Sequence, residues 1–190
     1  MKLLYSNILP LGTADDQQTI IDCFQEQLAK ADYVEIAVGY VSRASLEELD
    51  NLISDYSIKQ ICLNIGMYYI EGMPESSYHT AVKINKKWRA SKTGEIRIVR
   101  SFKYHGKLYC FYKDGVPFSA IIGSANLGVI KLEASNRRQY EISSLTIDPS
   151  ECKEISDFIQ KLKAPACSAN IEDISDMPLI FGKNTALSGI

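Results

Sequence analysis

Residues 102–127 read FKYHGKLYCFYKDGVPFSAIIGSANL, and the rest of the chain is interpreted around this stretch. Its first half alternates residue types as a strand does, so His105 and Lys107 are expected on one face of that strand. Asp114-Gly115 predicts a hairpin turn, because both residues tolerate the positive φ of such turns. The returning run, 118–122, leads into Gly-Ser-Ala-Asn at 123–126. The hairpin therefore brings an imidazole, an ammonium group and an amide together, a combination suited to a phosphate.

The His-x-Lys and Gly-Ser-x-Asn motifs resemble the signature of the phospholipase D superfamily. The chain as a whole resembles the N-terminal catalytic domain of the NgoFVII-type restriction endonucleases in that superfamily. One position departs from the usual pattern: Tyr112 stands where the superfamily has an aspartate, five residues after the lysine. The nucleases of the superfamily are looser at that position than its lipases, so the departure favours a nuclease.

The resemblance assigns a role to each site residue. His105 is the nucleophile that attacks phosphorus, while Lys107 and Asn126 bind the phosphate oxygens. A carboxylate on a later strand orients the histidine. Glu141 is the expected match and Glu133 the alternative. Ser124 is a possible phosphate or histidine contact.

This chemistry requires two histidines, one that attacks and one that protonates the leaving oxygen and later activates water. The chain has one His-x-Lys motif, since its other histidine, His79, is followed at i+2 by an alanine. A twofold homodimer that pairs the His105 residues of two protomers resolves the shortage and predicts a composite site at the interface. The resemblance implies no metal and no cofactor, and hence activity in EDTA.

Nine cations and one glutamate lie between residues 83 and 107, although the formal net charge of the chain is −2. Such a segment beside a phosphate site is typical of nucleic-acid binding, whereas a plain solvated helix face is the structural alternative. The residues expected to contact DNA are Lys83, Lys86, Lys87, Arg89, Arg97, Arg100 and Lys103.

The length of 190 residues and the hydrophobic content of 46% indicate one globular domain. Five cysteines without a C-x-x-C pair indicate reduced thiols and a cytoplasmic protein. No signal peptide and no apolar run of membrane-spanning length is visible, so no membrane contact is expected.

Helical periods alternate with short β-branched runs, which predicts an α/β fold: a mixed, mostly parallel sheet with helices on both faces. Helices are expected at 14–31 with Thr13 as the cap, from Ser42, at 77–91 and from Pro149. Strands are expected at 33–41, 60–65, 95–100 and 140–147. Residues 1–165 form the predicted nuclease domain. Residues 166–190 are predicted to be an arm or the start of a linker to an absent DNA-recognition domain.

The sequence thus predicts a metal-independent DNA endonuclease of a restriction system, acting through a phosphohistidine, with DNA as its partner and a DNA-recognition domain or a helicase as a candidate second partner. Two alternatives stay open. One is a non-catalytic nucleic-acid-binding or dimerisation module, to which the missing aspartate at position 112 gives some support, although the intact His105, Lys107 and Asn126 weigh against it. The other is a phosphodiesterase that acts on a different substrate, such as a phospholipid.

Overall fold

Short apolar runs of the sequence become the strands of a mixed sheet in the computed structural model, which describes residues 1–131 and 139–182. Numbered along the chain, the strands are β1 (Lys2–Tyr5), β2 (Gln18–Thr19), β3 (Tyr33–Val38), β4 (Gln60–Ile65), β5 (Met73–Pro74), β6 (Gly94–Val99), β7 (Leu108–Lys113), β8 (Val116–Gly123), β9 (Ile142–Thr146), β10 (Ser168–Asn170) and β11 (Leu179–Ile180). Nine of them form one sheet in the order β10-β6-β4-β3-β7-β8-β9-β1-β2.

The sheet is mixed, as predicted, and the parallel part lies where strands and helices alternate in the sequence. β3, β4 and β6 are parallel neighbours. From β3 outward, β7, β8, β9 and β1 are joined by antiparallel pairings. Antiparallel neighbours are therefore more numerous than expected, because β9 and β1 extend the sheet beyond the hairpin.

Helix positions follow from local capping. The helices are α1 (Ile20–Lys30), α2 (Arg43–Asp55), α3 (Tyr68–Glu71), α4 (Glu75–Ala90) and α5 (Pro149–Leu162). Ser42 caps α2 as predicted, in a reciprocal capping box with Ser45. The predicted start of the first helix is wrong: Thr19, not Thr13, accepts the capping hydrogen bond, so α1 begins six residues later than expected.

Helices cover both faces of the sheet, as the sequence predicts. α1, α2 and α4 contribute Phe24, Leu49 and Trp88 to the larger core cluster on one face. α5 packs Cys152 and Ile159 on the other face. Burial of these apolar side chains on both faces supplies the main driving force for the fold.

The central hairpin has the predicted turn, but its first strand starts later than the motif suggests. Asp114 and Gly115 have φ of 51° and 78°, and β7 and β8 pair antiparallel around them. β7 begins at Leu108, so His105 and Lys107 precede the strand rather than sharing one of its faces. The reason is a competing contact: the Tyr104 amide donates to the Gly66 carbonyl at 3.1 Å, at the end of β4.

The segment after residue 165 takes part in the fold. β10 pairs antiparallel with β6 at the edge of the sheet, and Ile171 is fully buried. The expectation of an arm that starts at residue 166 is therefore wrong for this portion, because its backbone completes the sheet edge. Residues 183–190 lie outside the described ranges.

Within residues 1–131 and 139–182, none of the helices combines the length and the apolar character that a bilayer span requires.

Candidate active site

A cleft of about 490 Å³ opens at one end of the strands, beside the C-terminal end of β8 and the N-terminal end of β9. The motif residues of the sequence meet here although they come from separate segments. The residues that line the cleft are His105, Lys107, Gly123, Ser124, Asn126, Gln139, Tyr140 and Glu141. The carboxyl end of β3 lies at this same end of the sheet, a usual position for ligand sites in open α/β sheets.

Asn126 is anchored by its side-chain oxygen. The backbone N–H groups of Gly39 and Tyr40, just beyond β3, both donate to Asn126 Oδ1 at 3.1 Å. Two donors on one atom fix which end of the amide is the oxygen. The Nδ2 group is therefore the end available to a ligand, which is what a phosphate-binding amide requires.

His105 is exposed and packed against the loop after β3. A Cβ atom added to Gly39 would lie 3.1 Å from His105 Cδ2, so the glycine makes room for the imidazole. The ring of Tyr40 meets the imidazole edge to face, with 5.9 Å between ring centroids and an interplanar angle of 77°.

Lys107 lies deeper than His105. Its side chain is only 8% exposed in relative terms, and its Nζ donates to the backbone oxygen of His105 at 2.6 Å. Burial lowers the pKa of the Lys107 ammonium, and the nearby Glu141 carboxylate acts in the opposite direction. A cation held in this way can neutralise an anionic group that enters the cleft.

Glu141 and Ser124 form another wall of the cleft. Ser124 Oγ donates to a Glu141 carboxylate oxygen, and the Ile142 amide donates to Ser124 Oγ at 3.1 Å. Glu141 therefore lines the same cleft as His105, but the partner of its carboxylate in the structure is the serine. The alternative carboxylate, Glu133, lies outside the described residues.

Tyr112, the departure from the superfamily pattern, is remote from the cleft. Its hydroxyl donates to Ser156 Oγ at 2.8 Å, and its ring stacks on Tyr33 with 4.8 Å between centroids. These contacts hold α5 against the sheet. The position is structural in this chain, so a missing aspartate there removes no group from the cleft.

The comparison with protein families covers most of the chain. Residues 18–176 match the family described as the NgoFVII restriction endonuclease N-terminal PLD domain. The chain belongs to this family. The comparison with curated proteins gave no match.

Solved structures show the same fold at low sequence identity. A phosphatidylserine synthase from Haemophilus influenzae Rd KW20 aligns with a TM-score of 0.56 and 11% identity, over 92% of this chain and 41% of the synthase. A polyphosphate kinase from Porphyromonas gingivalis aligns with a TM-score of 0.51 and 14% identity, over 86% of this chain and 26% of the kinase. This NgoFVII-family chain thus spans less than half the length of either enzyme.

The basic residues predicted from the sequence are spread over a different part of this NgoFVII-family domain. α4 packs on α2 and β6, and the described lining of the cleft includes none of these cations. Lys83 and Lys86 are exposed on α4. Three of the cations pair with acids that are distant in sequence: Lys87 with Asp50, Arg89 with Glu172 and Lys103 with Glu71.

Arg97 lies on β6 and Arg100 follows it, next to the edge strand β10. The Arg97 guanidinium donates to the carbonyl oxygens of Lys163 at 2.9 Å and Ser168 at 2.8 Å, and it also pairs with Glu95. These bonds join β6, β10 and the end of α5, so Arg97 serves the sheet edge. Arg100 is exposed just after β6. The acids that face this region offset part of the local charge that the sequence shows.

Residues that sequence reasoning missed surround His105. Tyr40 and Glu71 come from the loop after β3 and the end of α3, and Gln139 and Tyr140 line the cleft beside Glu141. No motif marks them. The sequence feature that could have indicated Tyr40 is its position, because it directly follows the buried strand β3 and Gly39. Across the described residues, no cluster of three or more His, Cys, Asp or Glu side chains is arranged to hold a metal ion.

Proposed function

We propose that this chain is the catalytic domain of a restriction endonuclease that hydrolyses DNA phosphodiester bonds through a phosphohistidine. The observation that carries the proposal is the convergence of His105, Lys107 and Asn126 on one cleft. A nucleophile, a fixed cation and an amide donor are the groups that a transferring phosphoryl centre requires.

The steps follow from these groups. A neutral His105 nitrogen attacks phosphorus, and the bond from phosphorus to the leaving deoxyribose oxygen breaks. An acid protonates that oxygen, and a water molecule, deprotonated by the same group, then attacks the phosphohistidine and restores His105. Lys107 and Asn126 bind the non-bridging oxygens, whose charge changes along this path. Since histidine supplies the nucleophile and lysine the charge, no metal-bound water is required.

The acid in this scheme is a second His105. Among the residues that line the cleft, His105 is the one histidine. A twofold dimer with the two clefts face to face provides both groups, so the homodimer is part of the proposal. Sequence recognition is assigned to a further domain or partner.

The test compares plasmid cleavage by wild type and by His105→Ala, both in EDTA. We expect nicked or linear products from wild type and a loss of roughly 10³-fold or more in the variant, because the nucleophile is absent. His79→Ala is the matched control, since that histidine is exposed on α4 and pairs with Glu75. Equal cleavage by wild type and His105→Ala, or none by wild type on any DNA, contradicts the catalytic assignment.

The non-catalytic alternative predicts DNA binding without cleavage in the same assay. A gel-shift measurement beside the cleavage assay separates the catalytic and non-catalytic proposals, because it detects DNA binding whether or not cleavage occurs. His105→Ala and His79→Ala are both expected to bind DNA within about twofold of wild type.

A further inference from the structure

A closed set of side-chain contacts surrounds His105. The Tyr40 ring meets the imidazole edge to face, and the Tyr40 hydroxyl donates to Glu71 Oε2 at 2.6 Å. Lys103 Nζ donates to the other oxygen of Glu71 at 3.2 Å. Lys103 lies two residues before His105, so the contacts return to the segment from which they started.

We propose that Tyr40, Glu71 and Lys103 form a clamp that fixes the orientation of the His105 imidazole. The proposal rests on the function proposed above and assigns these three as positioning residues for the nucleophile. None of the three lines the cleft, so their action on the reaction passes through His105.

Contacts from neighbouring residues are needed to fix the orientation of the exposed His105 ring. The torsion that turns an imidazole ring about its Cβ–Cγ bond is broad and roughly twofold, so an exposed histidine samples several ring positions. In-line attack on phosphorus requires one ring nitrogen to point along one direction. Gly39 packs closely on one side of the ring, where an added Cβ would lie 3.1 Å from His105 Cδ2, and the Tyr40 ring packs on another.

Charge in the clamp keeps the contacts in place. The Tyr40 hydrogen bond holds the pKa of the Glu71 carboxyl below its ordinary value, and the hydrogen bond and charge of Lys103 add to this effect. Burial, together with the bond to Glu71, raises the pKa of Tyr40 to about 12. At neutral pH the phenol is therefore a donor and the carboxylate an acceptor, which is the pairing that the geometry shows.

The backbone supports the same arrangement. The Tyr104 amide donates to the Gly66 carbonyl, and a Cβ atom added to Gly66 would lie 2.0 Å from the backbone oxygen of Tyr104. The segment that carries Lys103 and His105 therefore packs against the end of β4, and the missing side chain of Gly66 allows this close contact. The clamp spans from this segment to the ends of β3 and α3.

The chain contains a matched control for the Tyr40–His105 contact. Tyr78 and His79, on α4, also meet edge to face, with 5.5 Å between ring centroids. Because these two histidines are the whole complement of the chain, imidazole NMR resonances of the DNA-free protein report on each contact separately. A His105→Ala sample assigns them.

The decisive variants are Tyr40→Leu, Tyr40→Phe and Glu71→Ala, with Tyr78→Leu as control. We expect Tyr40→Leu to move the His105 resonances toward those of a free imidazole and to leave His79 unchanged, and Tyr78→Leu to do the reverse. Single-turnover cleavage is expected to fall roughly 10- to 100-fold in Tyr40→Leu, with DNA affinity within about twofold, because the nucleophile is misplaced rather than lost.

Smaller effects are expected where the ring stays. Tyr40→Phe keeps the edge-to-face contact and loses the bond to Glu71, so its rate should lie between those of wild type and Tyr40→Leu. Glu71→Ala removes the same bond and also the Lys103 contact, so the double variant Tyr40→Phe/Glu71→Ala is expected to match Glu71→Ala, as members of one network do. If Tyr40→Leu fails to fold, Tyr40→Phe and Glu71→Ala provide the test.

Two results overturn the clamp: unchanged His105 resonances in Tyr40→Leu, or a cleavage rate in that variant equal to that of Tyr78→Leu. The NMR comparison requires no catalysis. If wild type cleaves no DNA, the proposed function fails while the resonances still decide whether Tyr40 and Glu71 orient His105.

Discussion

At the residue scale, Asn126 has two separate tasks on one amide. Its oxygen accepts from the Gly39 and Tyr40 amides and so anchors the loop after β3, while its nitrogen is left to the cleft. The motif in the sequence predicts the second task. The first depends on a strand that ends 88 positions earlier, at Val38, and no local pattern links the two segments.

Substitution of Asn126 separates these tasks. Asp retains the acceptor and removes the donor, whereas Ala removes both. We expect cleavage to fall roughly 10²-fold or more in both variants, since the phosphate loses a donor and Asp adds a repelling charge. The free energy of unfolding should fall by about 1–3 kcal/mol in Asn126→Ala, where two backbone N–H groups lose their partner, and little in Asn126→Asp.

Urea unfolding and single-turnover cleavage measure the two effects. Asn51→Asp, on the exposed side of α2, controls for the added charge. Wild-type cleavage by Asn126→Asp would show that the amide nitrogen makes no contact in the transition state.

At the element scale, the hairpin was the most predictable part of the fold. The Asp-Gly turn and the antiparallel pairing of β7 with β8 depend on local backbone preferences, which neighbouring residues determine. The start of β7 was less predictable, because Tyr104 bonds to Gly66 instead of continuing the ladder. The start of α1 was missed for a related reason: Thr13 and Thr19 are both acceptable caps, and packing selects between them.

The turn provides a prediction about stability alone. Gly115 has φ of 78°, with no heavy atom within 4 Å of an added Cβ, so Gly115→Ala is disfavoured by backbone conformation and not by crowding. We expect a loss of about 1 kcal/mol in the free energy of unfolding. Gly128→Ala is the control, since an added Cβ there also meets nothing and its φ is ordinary.

Urea denaturation checks the difference between the two glycine variants. The turn lies at the far end of the hairpin from the cleft, so cleavage per folded molecule should not change in either. An equal effect of both substitutions on stability would contradict the conformational explanation.

At the scale of the whole molecule, the cleft lies beside an apolar strip on the sheet. Ile122 and Leu3 both stand opposite Ser144 in register, and Ile142 lies two residues before it. These three apolar side chains are 46–49% exposed in relative terms. α5 covers Ala120 on the same face, but it leaves this strip open. The strip adjoins the wall formed by Ser124 and Glu141, so we assign it to the second protomer of the proposed dimer.

Charge on this strip is expected to break the dimer and the composite site together. The double variant Ile122→Asp/Ile142→Asp should have the mass of one chain by light scattering and no cleavage, because neither protomer then meets a second His105. Val116→Asp is the matched control, since Val116 is an exposed apolar residue at the hairpin tip and should remain dimeric and active.

A wild-type mass equal to one chain under cleavage conditions would remove the dimer from the proposal. A double variant that stays dimeric would move the interface to another surface.

By itself, the sequence determined the motif residues, the turn, the mixed α/β class and the family, because these depend on residue type, spacing and local backbone preference. Only the tertiary structure decided which side chains meet: Tyr40 packs on His105 and bonds to Glu71, both from distant segments, and Ser124 donates to the Glu141 carboxylate. It also decided the charge pairing of the basic segment, in which Lys87, Arg89 and Lys103 form salt bridges with acids from elsewhere in the chain. The physical reason is that side-chain contacts and charge pairing depend on distances in space, which sequence spacing specifies only within a single strand, helix or turn.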